Sequence, residues 1–233
     1  MKLCLFGVTG IALGKHNIKD PRLDQTHELI EAQKKTYAQV DVVDEKEMVT
    51  SDAILTTRGS LSDLLMKDLD AVETRLGRDA GDAEKAVLQK LADTLMSEKP
   101  VSAAGLTADE TKAISAHNFL SNKPVVVAEE AELKNPDPLF VGALGESGYI
   151  SFLTVGGKEN RAWPIRAGTT AWDAAGTIHT DIQKGFIRAE IISFADFIET
   201  GGETQAKRAG KQRLELKTYV MHDYDLTNFR FNK

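Results

Sequence analysis

Cysteine is almost missing from this 233-residue chain, and its single representative, Cys4, cannot form an internal disulfide. It sits in an apolar run, which reads as a small buried hydrophobe in a reducing compartment. No apolar run approaches the roughly 18 residues that a membrane span requires, and the opening MKLCLFGVTG is too short for a signal peptide. A cytoplasmic location without a membrane partner is therefore expected. The five histidines, His16, His27, His117, His179 and His222, lack the close spacing of a ligand set, so no metal site is expected.

What is present is ordinary for a folded globular protein: 42% hydrophobic and 27% charged residues, in a length that allows one large domain or two small ones. The net charge of −6 is unevenly spread. Residues 161–233 hold 11 basic and 9 acidic side chains, whereas the preceding 160 residues hold 18 basic and 26 acidic. An acidic front and a mildly basic tail place any nucleic-acid contact in local patches of the tail, and no specific DNA partner is expected.

Residues 3–6 form a short apolar run that reads as a buried strand. Asp20-Pro21 supplies an N-cap followed by a first-turn proline, which predicts a helix over about 21–34. Strands are expected at 37–43 and 51–56. Leu61, Leu65, Leu69, Val72 and Leu76 recur every three or four residues, as do Ala83, Val87, Leu91 and Leu95. Two amphipathic helices on either side of a glycine-flanked break make a helical hairpin at 60–98. The capping-box pattern Thr107-Ala-Asp-Glu110 starts a further short helix. PVVVA at 124–128 reads as a buried strand, and NPDP at 135–138 as a turn or linker. From Tyr149 the pattern changes to a strand hairpin, a helix at Thr170, a strand over 186–193, a short helix over 194–199, and strands over 213–221 and 226–231. That order within about 85 residues suits a β-grasp.

The tail reads RAWPIRAGTTAWDAAGTIHTDIQKGFIRAEIISFADF and then AKRAGKQRLELKTYVMHDYDLTNFRFN. It closely resembles the TGS domain that ends the YchF-type Obg-like ATPases. Ahead of it, DPRLD at 20–24, VDVVDEKE at 40–47, MKDLDAVETRL at 66–76 and KPVVVAEEAE at 123–132 resemble further pieces of that family, in family order but with large deletions between them. The resemblance implies an α/β fold in two domains. Residues 1–148 would be a truncated P-loop-NTPase-like domain with a helical-hairpin, coiled-coil arm, and residues 149–233 a β-grasp (ubiquitin-like) TGS domain.

A phosphate loop of the form G-x-x-x-x-G-K-[ST] works because backbone N–H groups and a helix N-terminus surround the phosphates while the hydroxyl binds Mg²⁺. Here Gly10 and Gly14 enclose three residues, Gly7 and Gly14 enclose six, and His16 follows Lys15 where the hydroxyl belongs. Lys15 is expected in a loop rather than in a first helical turn. By the resemblance, Asp44 matches the family's magnesium-orienting aspartate, Glu129 replaces its base-reading asparagine, and Glu132 matches its glutamate. Gly10, Gly14, Lys15, Asp44 and Glu132 are thus the remnant of a nucleotide site, with Lys15 and Asp44 the candidate catalytic groups. In the tail, Lys207, Arg208, Lys211, Arg213 and Lys217 form a basic cluster near Tyr219 that suits RNA or another partner. Trp163 and Trp172 are expected in the core.

The expected function is a non-catalytic binding or regulatory protein, with the TGS domain and hairpin contacting a ribosome, RNA or protein partner and with no cofactor. Two alternatives stand beside it. One is weak ATPase or GTPase activity with ATP or GTP and Mg²⁺ through the altered loop. The other is small-ligand sensing, as suspected for other TGS domains.

Overall fold

A computed structural model describes residues 1–30, 32–78 and 81–232. The chain divides into two compact units, one of residues 1–16 and 40–143, the other of residues 17–39 and 144 onward. The expected linear boundary at 148/149 differs from this grouping for residues 144–148 and for residues 17–39, whose polar groups bond within the second unit.

The first sheet has five strands in the order β2-β4-β1-β5-β6, where about four were expected. These are β1 (Lys2–Phe6), β2 (Gly14–Ile18), β4 (Ala38–Val43), β5 (Ala53–Thr57) and β6 (Val125–Ala128). Strand β3 (Lys34–Thr36) belongs to the second sheet. The additional strand is β2, which replaces the loop expected around Lys15. Its backbone groups pair with β4, and its alternating exposure leaves Lys15 facing solvent. Strands β4, β1, β5 and β6 are mutually parallel, with Cys4 opposite both Val43 and Ile54. Parallel strands covered on both faces are continuous apolar runs, and Leu3 to Phe6 is buried throughout.

Helix α1 (Pro21–Leu29) precedes β3, and the first unit continues with α2 (Arg58–Leu76), α3 (Asp82–Met96) and α4 (Ala108–Ala113). Leu64 of α2 packs on the sheet with Cys4, Phe6, Val43, Met48 and Ile54. The opposite stripe of α2, Leu65 and Val72, meets Val87, Leu88, Leu91 and Leu95 of α3. Val101, Ile114 and Phe119 close that cluster, so residues beyond the hairpin share its core.

One buried carboxylate attaches this cap. Asp68 on α2 is 1% exposed and accepts hydrogen bonds from the Leu120 N–H (2.6 Å), the Ser121 N–H (2.7 Å) and the Ser121 hydroxyl (2.5 Å). Lys123 does the reverse: its ammonium donates to the carbonyls of Met48, Val49 and Ser51 at 2.7–3.0 Å, and burial lowers its pKa. The cation thus meets the C-terminal end of the 3-10 turn Glu45–Thr50, where it adds to the Ser51 N–H and hydroxyl on the Met48 carbonyl.

Helix α5 (Asp137–Glu146) begins where a turn was expected. Pro138 occupies its first turn, where a missing N–H leaves no bond unmade, and the Phe140 N–H reaches the Pro136 carbonyl.

The second unit contains β7 (Tyr149–Thr154), β8 (Glu159–Arg166), α6 (Ala171–Ile178), α7 (Thr180–Lys184), β9 (Phe186–Ile192), α8 (Phe194–Thr200), α9 (Glu203–Arg208), β10 (Arg213–Glu215) and β11 (Leu226–Phe231). Its sheet runs β10-β9-β11-β7-β8-β3, with β11 and β7 parallel between antiparallel neighbours. Phe152, Ile165, Ala189, Ile191 and Phe229 meet Ala171, Ala174 and Ala175 of α6. Gly185 admits no side chain, since a Cβ there would lie 2.1 Å from the Asn232 carbonyl. The strand expected over 213–221 stops at Glu215, because the Leu216 carbonyl accepts from the Tyr219 N–H and turns the chain.

Helix α1 ends at Leu29, earlier than the expected 34; position 31 lies outside the described residues. Its last turn is held by Asn160, fully buried, whose amide bonds His27 (2.9 Å) and the Ile30 carbonyl (2.6 Å). Its first turn is capped by Asp20, which accepts from the Arg22 N–H at 2.9 Å. Arg22 pairs with Asp20 and Asp223 and lies 3.6 Å over the ring of Tyr224.

Asp68→Ala is expected to destabilise the first unit by about 3 kcal/mol, since it strands two backbone donors and a hydroxyl; urea unfolding against wild type measures it. Glu84 offers a pH test. Arg75 holds it with two bonds (2.6 and 2.8 Å) and His117 adds a third (2.8 Å), which lowers its carboxyl from 4.5 to about 2. A carboxyl lowered in the folded state contributes fully above pH 4.5, and the contribution disappears as pH falls toward 2. Glu84→Gln should therefore flatten the acid limb of the stability profile in that window, leaving it unchanged near neutrality apart from a constant offset.

Candidate functional site

In an open sheet of parallel strands, ligands bind outside the carboxyl ends, beside the strand where the order reverses. Here that strand is β1, with β4 to one side and β5 to the other. Four segments leave the sheet at this edge: residues 7–13 after β1, Asp44 after β4, the start of α2 after β5, and residues 129–132 after β6.

Gly7 leaves β1 with φ +62°, and a Cβ at this position would lie 2.1 Å from the Ser60 hydroxyl. That hydroxyl donates to the Gly7 carbonyl at 3.4 Å, so the close approach of α2 to the loop requires glycine. Gly10 (φ +88°) and Gly14 (φ +108°) adopt conformations that L side chains avoid. The loop closes through His16, whose Nε2 meets the Ala12 carbonyl at 2.7 Å and whose ring rests against Phe140. None of the N–H groups of residues 8–13 is hydrogen-bonded to protein among the described residues.

The sequence candidates are distributed around this edge without meeting. Lys15 is exposed on β2 and forms no ion pair among the described residues. Asp44 accepts from the Lys46 N–H at 3.0 Å and caps the following 3-10 turn, an ordered role for a residue that otherwise reads as a solvated strand end. The Asp44 carbonyl takes the Cys4 thiol at 3.4 Å, and burial holds that thiol up at about 11, which leaves it unreactive. Glu132 accepts from the Glu129 N–H at 2.7 Å, and Glu129 pairs with Arg58 at 3.0 Å.

These residues do not fit a magnesium-bound phosphate held in P-loop geometry. The glycine segment runs into strand β2, so its N–H groups have no helix N-terminus behind them. The ring of His16 is engaged with a carbonyl where a hydroxyl would bind the metal. The next helix, α1, has its N-terminus occupied by the carboxylate of Asp20.

The basic cluster of the tail is partly neutralised by its own neighbours. Lys207 pairs with Glu203 (2.5 Å), Lys211 with Asp196 (2.8 Å) and Arg213 with Glu215 (3.1 Å). Arg208 and Lys217 have no ion pair among the described residues. Tyr219 donates to Asp225 at 2.9 Å and receives Arg213 at 3.0 Å; burial raises its hydroxyl to about 12 and also raises the Asp225 carboxyl. Trp163 is half-buried against Phe152, with its indole N–H on the Thr154 hydroxyl. Trp172 departs from the expected core position and is 42% exposed. It stands at the first turn of α6, whose inward positions are taken by alanines. A period of four marks which face of a short helix is buried, but one aromatic at its end lies outside that signal.

Comparison with known proteins now bears on these units. Residues 149–232 match the family model YchF-GTPase_C, described as "Protein of unknown function (DUF933)". The "Ribosome-binding ATPase YchF" of Haemophilus influenzae is 34% identical over 233 aligned positions, covering 73% of this chain and 64% of that protein. The protein of the same name from Bacillus subtilis is 29% identical over 257 positions, covering 83% of this chain and 68% of the relative. The structure of the Schizosaccharomyces pombe YchF GTPase superposes with a TM-score of 0.73 at 19% identity, covering 99% of this chain and 97% of that one, a likeness of fold alone. The chain spans about 64% of the length of the Haemophilus relative, and within that span the ordered motifs of the front and the matched tail are similar to those of the YchF proteins.

Proposed function

We propose that this chain is a non-catalytic binding and regulatory member of its family, in which nucleotide hydrolysis has been lost and partner binding retained. Residues 1–148 are read as the truncated P-loop-NTPase-like part and residues 149–233 as a β-grasp TGS domain. The observation that carries the reading is the passage of Gly14 and Lys15 into strand β2, which separates the lysine from any helix N-terminus. Asp44 and Glu132 support it, since both spend their carboxylates on local backbone N–H groups. The partner is a ribosome, as the printed name of the Haemophilus relative suggests, and the contact lies in the tail, where Arg208 and Lys217 are the cations of the 207–217 cluster without an ion pair among the described residues. A cytoplasmic site of action follows from that partner.

One observation favours a second reading, a nucleotide-binding protein with weak ATPase or GTPase activity. The unpaired N–H groups of residues 8–13 are the kind of backbone donors that receive phosphate oxygens. Lys15 and Asp44 would then be its remaining catalytic groups.

Titration calorimetry of the nucleotide-free protein with ATP and with GTP, each with Mg²⁺, separates the two. The proposal expects no heat of binding up to millimolar nucleotide. Micromolar affinity, roughly −8 kcal/mol, with loss on Lys15→Ala, would replace it by the second reading. The partner is tested by co-sedimentation with purified ribosomes. Binding should weaken steeply with added salt and fall several-fold in the Arg208→Glu and Lys217→Glu variants; binding indifferent to both would place the contact elsewhere.

A further inference from the structure

The two edges of the second sheet are built differently. Edge strand β3 carries Lys34 and Lys35, and charged lysines on an unpaired edge discourage pairing with another chain. Edge strand β10 carries Arg213, Leu214 and Glu215, with β9 on one side and no strand on the other among the described residues. Leu214 is 57% exposed and Leu216 just beyond it is 54% exposed. An open strand edge with apolar side chains is a template for a further strand.

The order of the three residues says which strand fits. In an antiparallel pair related by a two-fold axis, one residue faces itself and its neighbours face each other's counterparts. With the axis at Leu214, Arg213 faces Glu215 of the partner subunit, and Glu215 faces Arg213 of the partner subunit. Opposite charges directly across a strand pair stabilise it, and like charges destabilise it. Both side chains already lie on one face, since Arg213 bonds Glu215 within the strand at 3.1 Å. The one unfavourable juxtaposition of this register is Lys211 with Lys217 of the partner subunit. It is softened because Lys211 is already paired with Asp196 at 2.8 Å.

We propose that β10 is a self-complementary edge through which two copies of this chain pair antiparallel about Leu214, joining two six-stranded sheets into one. The contact is short, so the dimer forms at micromolar or higher protein concentration rather than permanently. It shares Lys217 with the ribosome contact proposed above, so the association is read on the chain without ribosomes.

Sedimentation velocity of the full chain across a wide concentration range reads the association directly, and a single-cysteine variant reads its register. Cys4 is buried, so in Leu214→Cys the new thiol is the exposed one. Two copies of it on the axis fall within the Cα separation a disulfide accepts. Mild oxidation should cross-link Leu214→Cys into dimers, while the exposed control Ile187→Cys on β9 should cross-link far less. Glu215→Arg should weaken dimerisation about tenfold, and the exchange Arg213→Glu with Glu215→Arg should restore it. Circular dichroism checks that each variant is folded. A monomer at every concentration, or equal cross-linking of the two cysteine variants, would overturn the proposal. So would a dimer indifferent to the Glu215 charge in variants that fold.

Discussion

Strand β1 is hydrogen-bonded in parallel on both sides, and the geometry of the first unit follows from that constraint. Parallel neighbours start together and end together, so the segments leaving β1, β4, β5 and β6 emerge at one edge. Open parallel sheets bind ligands at this edge. In this chain the edge is largely occupied from within. The Ser60 hydroxyl lies against Gly7, Asp44 is engaged by Lys46, and Glu132 by Glu129. The N–H groups of residues 8–13 have no hydrogen-bond partner in the protein among the described residues. The carboxylates of Asp44 and Glu132 at this edge are both bonded to backbone N–H groups close to them in the chain.

The second unit shows how far formal charge can depart from available charge. Five cations lie between Lys207 and Lys217, yet three of them face Glu203, Asp196 and Glu215 across ion-pair distances. Exposed pairs of this kind contribute little to stability, but they reduce what a phosphate backbone would encounter. The same pairing logic fixes α1 within this unit. Asp20, Arg22 and Asp223 form a small network over the ring of Tyr224, and Asn160 is buried with its amide bonds directed at the last turn of the helix. The stretch Asp20-Pro21-Arg22-Leu23-Asp24, read from sequence as a family motif, serves here as an attachment point: Leu23 is buried, and Asp24 bonds Lys35 and Tyr37.

Much of the fold was legible in the chain before any coordinates. The stripe Leu61–Leu65–Leu69–Val72–Leu76 predicted α2, and the repeat Val87–Leu91–Leu95 predicted α3. The cap at Asp20 placed the start of α1, and the alternation around 150–166 placed the β7–β8 hairpin. The missed elements are short. Strands β2 and β3 and helix α9 have 5, 3 and 6 residues, too few for a period to emerge from composition. Helix α5 was concealed by Pro138, which punctuates a sequence as a turn but is equally at home in a helix's first turn.

Sequence by itself determined the likeness to the YchF proteins, the glycine spacing that departs from the phosphate-loop pattern, the two amphipathic helices and the strand-rich tail. All of these are carried by local order, by residue types at fixed separations along one chain. Tertiary structure alone decided that Lys15 lies on a strand, that residues 17–39 bond with the tail, that Asp68 holds the loop at Leu120 and Ser121, and that three tail cations are neutralised. Each of these depends on which distant groups satisfy a backbone donor or a charge. The bond from Asp68 to Ser121 spans 53 positions, and the bond from Arg22 to Asp223 spans 201. No periodicity along the chain encodes a partner at such a separation; only the packed fold brings these groups together, and for Asp68 and Ser121 it also removes water from both.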